Sequence, residues 1–128
     1  MTGDSNETAI RNLIHDWSDA VCKGDIDRVV ANRAKDIVMF DVPEPIQEKG
    51  LDAYRNTWKV FFAHNAPGPD RFRISELKIV ADAQVAFAHG LLTIGGDAAH
   101  CRLTIGLQKI EGRWHVVHEH HSMPISLS

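Results

Sequence analysis

Apolar residues recur at helical spacing in the first half of the chain and alternate in the second. Ile10, Leu13, Ile14, Trp17 and Val21 fall at i, i+3, i+4, i+7 and i+11, one stripe of a long amphipathic helix. Asp4 with Glu7, or Ser5 with a frayed start, predicts a capping box at its beginning. Gly24 is the expected C-cap. Asp25 then caps a short second helix that turns Ile26, Val29 and Val30 inward. A third helix, Gly50 to about His64, carries Leu51, Tyr54, Trp58, Phe61 and Phe62 as its stripe. Between the second and third helices Ile37 to Val42 alternates, with Ile37, Met39 and Asp41 on one face. Pro43-Glu44-Pro45 ends this short strand.

After the loop Ala66 to Asp70 the period becomes two. Phe72 and Ile74 alternate in one phase, Leu77 and Ile79 in the other, so a β-bulge is expected near Ser75-Glu76. Asp82-Ala83 turns the chain into a strand from Gln84 to Ile94. Gly95-Gly96-Asp97 makes a hairpin. The strand Ala98 to Ile110 has Arg102, Thr104 and Gly106 on one face, with Cys101, Leu103, Ile105 and Leu107 on the other. Glu111-Gly112 turns into a last strand that runs to Ser122 before Pro124. Helices first and an antiparallel meander second predict an α+β domain over residues 1–128. The last three strands are apolar on both faces over much of their length, so the sheet is expected to cover the helices with one face and a second subunit with the other, as a homodimer.

In the last strand, side chains two apart share a face. Uninterrupted alternation puts Trp114, Val116, His118, His120 and Ser122 together, and His115, Val117, Glu119 and His121 opposite. The first set begins apolar and ends polar, as a strand does on leaving a core for a wet hollow. His118, His120 and Ser122 are therefore the expected lining of a pocket.

Bulk composition narrows the function without naming it. The 128 residues carry a net charge of -3 with histidine neutral, and no basic run, which argues against nucleic acid as a partner. No stretch approaches the ~20 apolar residues of a membrane span. The first residues lack the basic and apolar regions of a signal peptide, so a cytoplasmic location is expected. Two cysteines do not make a disulfide framework.

Gly24-Asp25-Ile26-Asp27 leading to Asp41, then Gly50 and an aromatic helix, resembles the start of the SnoaL-like and ketosteroid isomerase-like proteins of the nuclear transport factor two-like superfamily. Gly112-Arg113-Trp114 with His118-Glu119-His120-His121-Ser122 resembles the ending common in the SnoaL-like branch. The resemblance covers nearly the whole chain. It implies a cone of three helices packed on a strongly curved antiparallel sheet, with a pocket in its mouth. Family members include isomerases, cyclases, dehydratases and subunits without catalysis. The aspartate base of ketosteroid isomerase falls on Asp41 and its tyrosine falls on Trp17, whose N–H donates a hydrogen bond but does not transfer a proton as a phenol does. Its second acid falls near Thr104 to Gly106, where no carboxylate stands. The oxyanion device of that enzyme is thus not preserved.

Two functions remain open. In the first, a cofactor-free pocket binds a mostly apolar carbonyl compound, and Asp41 with His120 moves a proton beside the carbonyl. Trp17, Tyr54, Trp58 and Phe61 would give a flat ligand its walls. Arg102, Thr104, His118 and Ser122 would contact it. In the second, the same pocket or the dimer binds without turnover. The aromatic residues are equally explained as core, Asp41 as a strand-end cap, and Arg102 as half of a structural ion pair. His118 and His120 supply only part of the three or more protein ligands that a metal site needs, so no metal is expected.

Overall fold

The structure, a computed structural model, describes the backbone of residues 2–127 and the side chains of residues 5–127. Helix α1 (Thr2–Lys23) and the single-turn α2 (Ile26–Val29) lead into strand β1 (Arg33–Phe40). The two-residue β2 (Glu48–Lys49) precedes helix α3 (Leu51–His64). Strands β3 (Phe72–Ala81), β4 (Val85–Ile94), β5 (Cys101–Ile110) and β6 (Arg113–Ser122) follow. The expected capping by Asp4 lies outside the described side chains. Asp25 does cap α2, its carboxylate accepting the Arg28 N–H at 3.3 Å.

Six strands form one curled, open sheet in the order β2-β1-β6-β5-β4-β3. The expected antiparallel pairing holds from β3 to β6 and between β1 and β2. It fails between β1 and β6, which run parallel. The reason is topological: β1 leaves through α3 and the whole meander before β6 returns beside it, and such a long crossover permits parallel pairing. Strand β1 also starts at Arg33, four residues before the alternation becomes visible. Arg33 and Ala34 are buried while Lys35 and Asp36 are exposed, so no simple period marks that stretch.

The helical stripes are core as their spacing predicts. Ile10, Ile14, Trp17 and Val21 of α1 are buried, as are Tyr54 and Trp58 of α3. Helix α1 packs on β3 and α3 on β1, so the two helices fill the concave side of the sheet. The Trp17 ring meets Trp58 and Phe72 edge-on, with centroids 5.8 and 5.2 Å apart.

Curvature comes from bulges. One falls where the phase change predicts it: the β3–β4 register shifts between Ser75 and Lys78, and Glu76 takes a φ of 53°. Gly90 lies across from it, where an added Cβ would stand 3.0 Å from the Ser75 carbonyl oxygen. The second bulge lies between β5 and β6. Gly106 pairs with His118 but Leu107 pairs with Val116, so Val117 is the extra residue.

Candidate functional site

The second bulge decides which chemistry faces inward. Before it, Trp114 and Val116 are buried against the helices. After it the alternation has slipped by one, and Glu119 and His121 are buried while His120 is exposed. A one-residue slip turns every later side chain to the other face. The imidazole that reaches the concave side is therefore His121.

Beside it opens a cavity of about 520 Å³ at the mouth of the cone. Its apolar wall is built by Trp58, Phe61, Phe72, Ile94 and Met123. Its polar lining includes Asp41, His121, Asn56, Asn65, His64 and His100. Asp41 follows the end of β1, and its Oδ1 accepts the Val42 N–H at 2.8 Å, which holds the carboxylate in place. The same Oδ1 lies 3.7 Å from His121 Nδ1. Pocket-lining Cys101 carries a thiol that burial, and then the nearby Asp41 charge, push up. It is no thiolate nucleophile at neutral pH.

Behind His121 lies a charged cluster without solvent contact. Glu119 Oε1 accepts the Tyr54 O–H at 2.8 Å and an Arg33 N–H at 3.2 Å. Arg33 Nε–H also donates to the Tyr54 oxygen at 3.0 Å, and its guanidinium stands 5.1 Å from the Trp17 ring centroid. The side chains of Arg33 and Glu119 are 1% and 0% exposed, so each needs the other. Glu119 Oε2 is 2.9 Å from His121 Nε2. Neither of these two atoms has an aligned hydrogen-bond partner, so the contact is close but bent. Burial is the largest influence on Glu119 and raises its carboxyl. The close contact and charge of His121, the charge of Arg33 and the Tyr54 hydroxyl outweigh it, and the carboxyl is held below its ordinary value. Burial is also the first cause at Tyr54, whose hydroxyl is pushed well up and stays protonated.

Of the residues expected at a site, the structure brings Asp41, Trp58 and Phe61 to the cavity. Trp17 and Tyr54 lie behind it, in the core. His118, His120, Arg102 and Thr104 are corrected to the convex side of the sheet. His118 is half-buried, its Nδ1 2.7 Å from the Val38 carbonyl oxygen, and its ring meets Phe40 at 4.8 Å. His120 is exposed and meets Phe40 at 5.3 Å. Arg102 and Thr104 are exposed on β5, opposite Ser122 and His120. Ser122 is half-buried and does not line the cavity. For the β6 residues the cause is Val117, the extra residue that breaks the regular alternation. Sequence reasoning missed Arg33, Glu119 and His121. The available signals were Gly106, a glycine in a strand interior that marks a bulge, and Tyr54, whose place on an apolar stripe demands a polar partner.

Among the described residues no group of three or more histidine, cysteine or acidic side chains is placed to hold a metal ion. Among the described residues no helix is long and apolar enough to cross a membrane. The model of the SnoaL-like domain family matches residues 10–126. An NTF2-like protein of unknown function from Pseudomonas putida KT2440 is 33% identical, with a TM-score of 0.88 over 97% of this chain and 90% of that one. A candidate ketosteroid isomerase from Parabacteroides distasonis is 19% identical, with a TM-score of 0.73 over 93% and 88% of the two chains. A candidate scytalone dehydratase from Novosphingobium aromaticivorans is 14% identical, with a TM-score of 0.78 over 97% and 87%. At those identities the last two share the fold alone. No match was found among curated proteins.

Proposed function

The chain belongs to the SnoaL-like domain family, and from that premise we propose that it is a cofactor-free acid/base enzyme acting on a small, flat, mostly apolar carbonyl compound. The observation that carries this reading is the meeting of Asp41 and His121 in the polar lining of one cavity of about 520 Å³ with an aromatic wall. That volume suits a small-molecule ligand.

In the proposed reaction the Asp41 carboxylate takes the proton from the carbon beside the carbonyl. The C–H electron pair moves into the carbon–carbon bond, and the carbonyl oxygen becomes an enolate. His121, within reach of Asp41, returns the proton to another carbon or to a leaving hydroxyl. The first outcome is isomerisation and the second is dehydration.

The test is proton exchange in heavy water with flat cyclic ketones, β-tetralone among them. The expected result is accelerated exchange beside the carbonyl, lost in Asp41→Asn. Exchange unchanged in Asp41→Asn removes Asp41 from the mechanism. Ketones that bind without exchange support the binding-only alternative. A homodimer through the convex side of the sheet is proposed on a separate observation: Val80, Val85 and Phe87 are 43%, 61% and 48% exposed there. Phe87→Glu should convert a dimer to monomer in sedimentation, and a wild-type protein that sediments as monomer removes this proposal.

A further inference from the structure

The pairing of Asp41 with His121 leaves a buried carboxylate unexplained. Glu119 is 0% exposed, and a buried ion pair is commonly no more stabilising than a well-packed apolar pair. An apolar pair there could be as stable, so stability alone does not require a carboxylate. Its wiring gives one. Tyr54 and Arg33 both bind Oε1. Oε2 takes neither of these bonds and faces His121 Nε2 at 2.9 Å.

The ionised oxygen at that separation offers a lone pair. A second lone pair on Nε2 would be repelled at 2.9 Å, which favours a hydrogen on Nε2 even though the contact is bent. The opposite nitrogen, Nδ1, is then the one free to take or release a proton, and it is the one that lies 3.7 Å from Asp41. The charges agree. With the proton on His121, the four groups Arg33, Glu119, His121 and Asp41 carry two positive and two negative charges. With the proton on Asp41 they carry one of each. Either way the cluster is neutral, so a proton passes between Asp41 and His121 without placing a net charge in the core.

We propose that Glu119, anchored by Arg33 and Tyr54, is a positioning residue that fixes the hydrogen of His121 on Nε2 and leaves Nδ1 as the working nitrogen. The proposal rests on the Asp41–His121 reading for its purpose, but its geometry is testable without a substrate.

Long-range proton–nitrogen correlation of the His121 ring, recorded at alkaline pH, reads the tautomer directly. The expected result in the wild-type protein is a hydrogen on Nε2. In Glu119→Gln, whose amide offers both a donor and an acceptor, a mixture of tautomers is expected. Tyr54→Phe keeps the carboxylate and should keep the Nε2 hydrogen, so a lost core hydrogen bond alone is not the cause. A wild-type ring with its hydrogen on Nδ1 overturns the proposal, even where Glu119→Gln fails to fold. So does a Glu119→Gln ring with the wild-type signature. If the tautomer is as expected but no ketone exchanges protons, the acid/base reading fails and the positioning role of Glu119 stands.

Discussion

The two sides of the sheet at the end of β6 carry the same residue type in opposite circumstances. On the concave side His121 is 7% exposed, stands between Asp41 and Glu119, and borders the cavity. On the convex side His120, one residue earlier, is exposed and touches the Phe40 ring. His118 is tied to the β1 backbone. An imidazole's chemistry follows from what surrounds it. Here the surroundings are assigned by one extra residue, Val117, in the strand that carries all three. The lesson is that a bulge outside the site selects the site's residues.

The contrast can be broken most severely at the buried ion pair. Arg33→Ala leaves Glu119 buried and unpaired, and should cost about 3–5 kcal/mol in urea unfolding. Arg102→Ala, on the convex side, should stay within about 0.5 kcal/mol. Equal losses from the two variants would contradict the division of the sheet into a charged interior and an indifferent exterior.

The same pair predicts a pH dependence. The Glu119 carboxyl is held below its ordinary value of 4.5 when folded. A carboxyl lowered on folding stabilises fully above its unfolded value, and the contribution drains away as pH falls through the folded value. The stability gap between wild type and Glu119→Gln should therefore be widest near neutrality and close progressively below about pH 4.5. A gap that is constant with pH would show that the carboxylate charge is not what stabilises the cluster.

A small effect is expected at His118. Its alanine variant loses the contact with the Val38 carbonyl, a hydrogen bond worth about 1 kcal/mol. Activity should be unchanged, because the ring faces away from the cavity. A fall in activity without a fall in stability would reopen a role for the convex side.

Much of this molecule was legible in its sequence, and the illegible part has a physical cause. The stripes Ile10-Ile14-Trp17-Val21 and Tyr54-Trp58 announced both helices and their buried faces, because apolar side chains report periodicity. The bulge at Ser75-Glu76 was legible for the same reason: Ile74 and Leu77 sit on either side of it and change phase. The bulge at Val117 has Val116 beside it and only polar residues after it, His118 to Ser122. Polar residues carry no phase, so simple alternation runs on through them and turns the wrong imidazole inward. Arg33 escaped because it stands in a polar run, Arg33-Ala34-Lys35-Asp36, that reads as a loop. The structural ion pair expected of Arg102 is instead made by the buried Arg33, while Arg102 is exposed. Asp41, which the resemblance and its face single out, lines the cavity.

The most direct measurement compares two histidine variants one residue apart. Exchange of the protons beside the carbonyl of β-tetralone in heavy water is followed for His121→Asn and His120→Asn. The account predicts a loss of about 100-fold or more in His121→Asn, the scale of a missing general acid or base, with His120→Asn at the wild-type rate. A wild-type rate in His121→Asn, or a comparable loss in His120→Asn, would contradict the claim that proton transfer belongs to the concave side of the sheet.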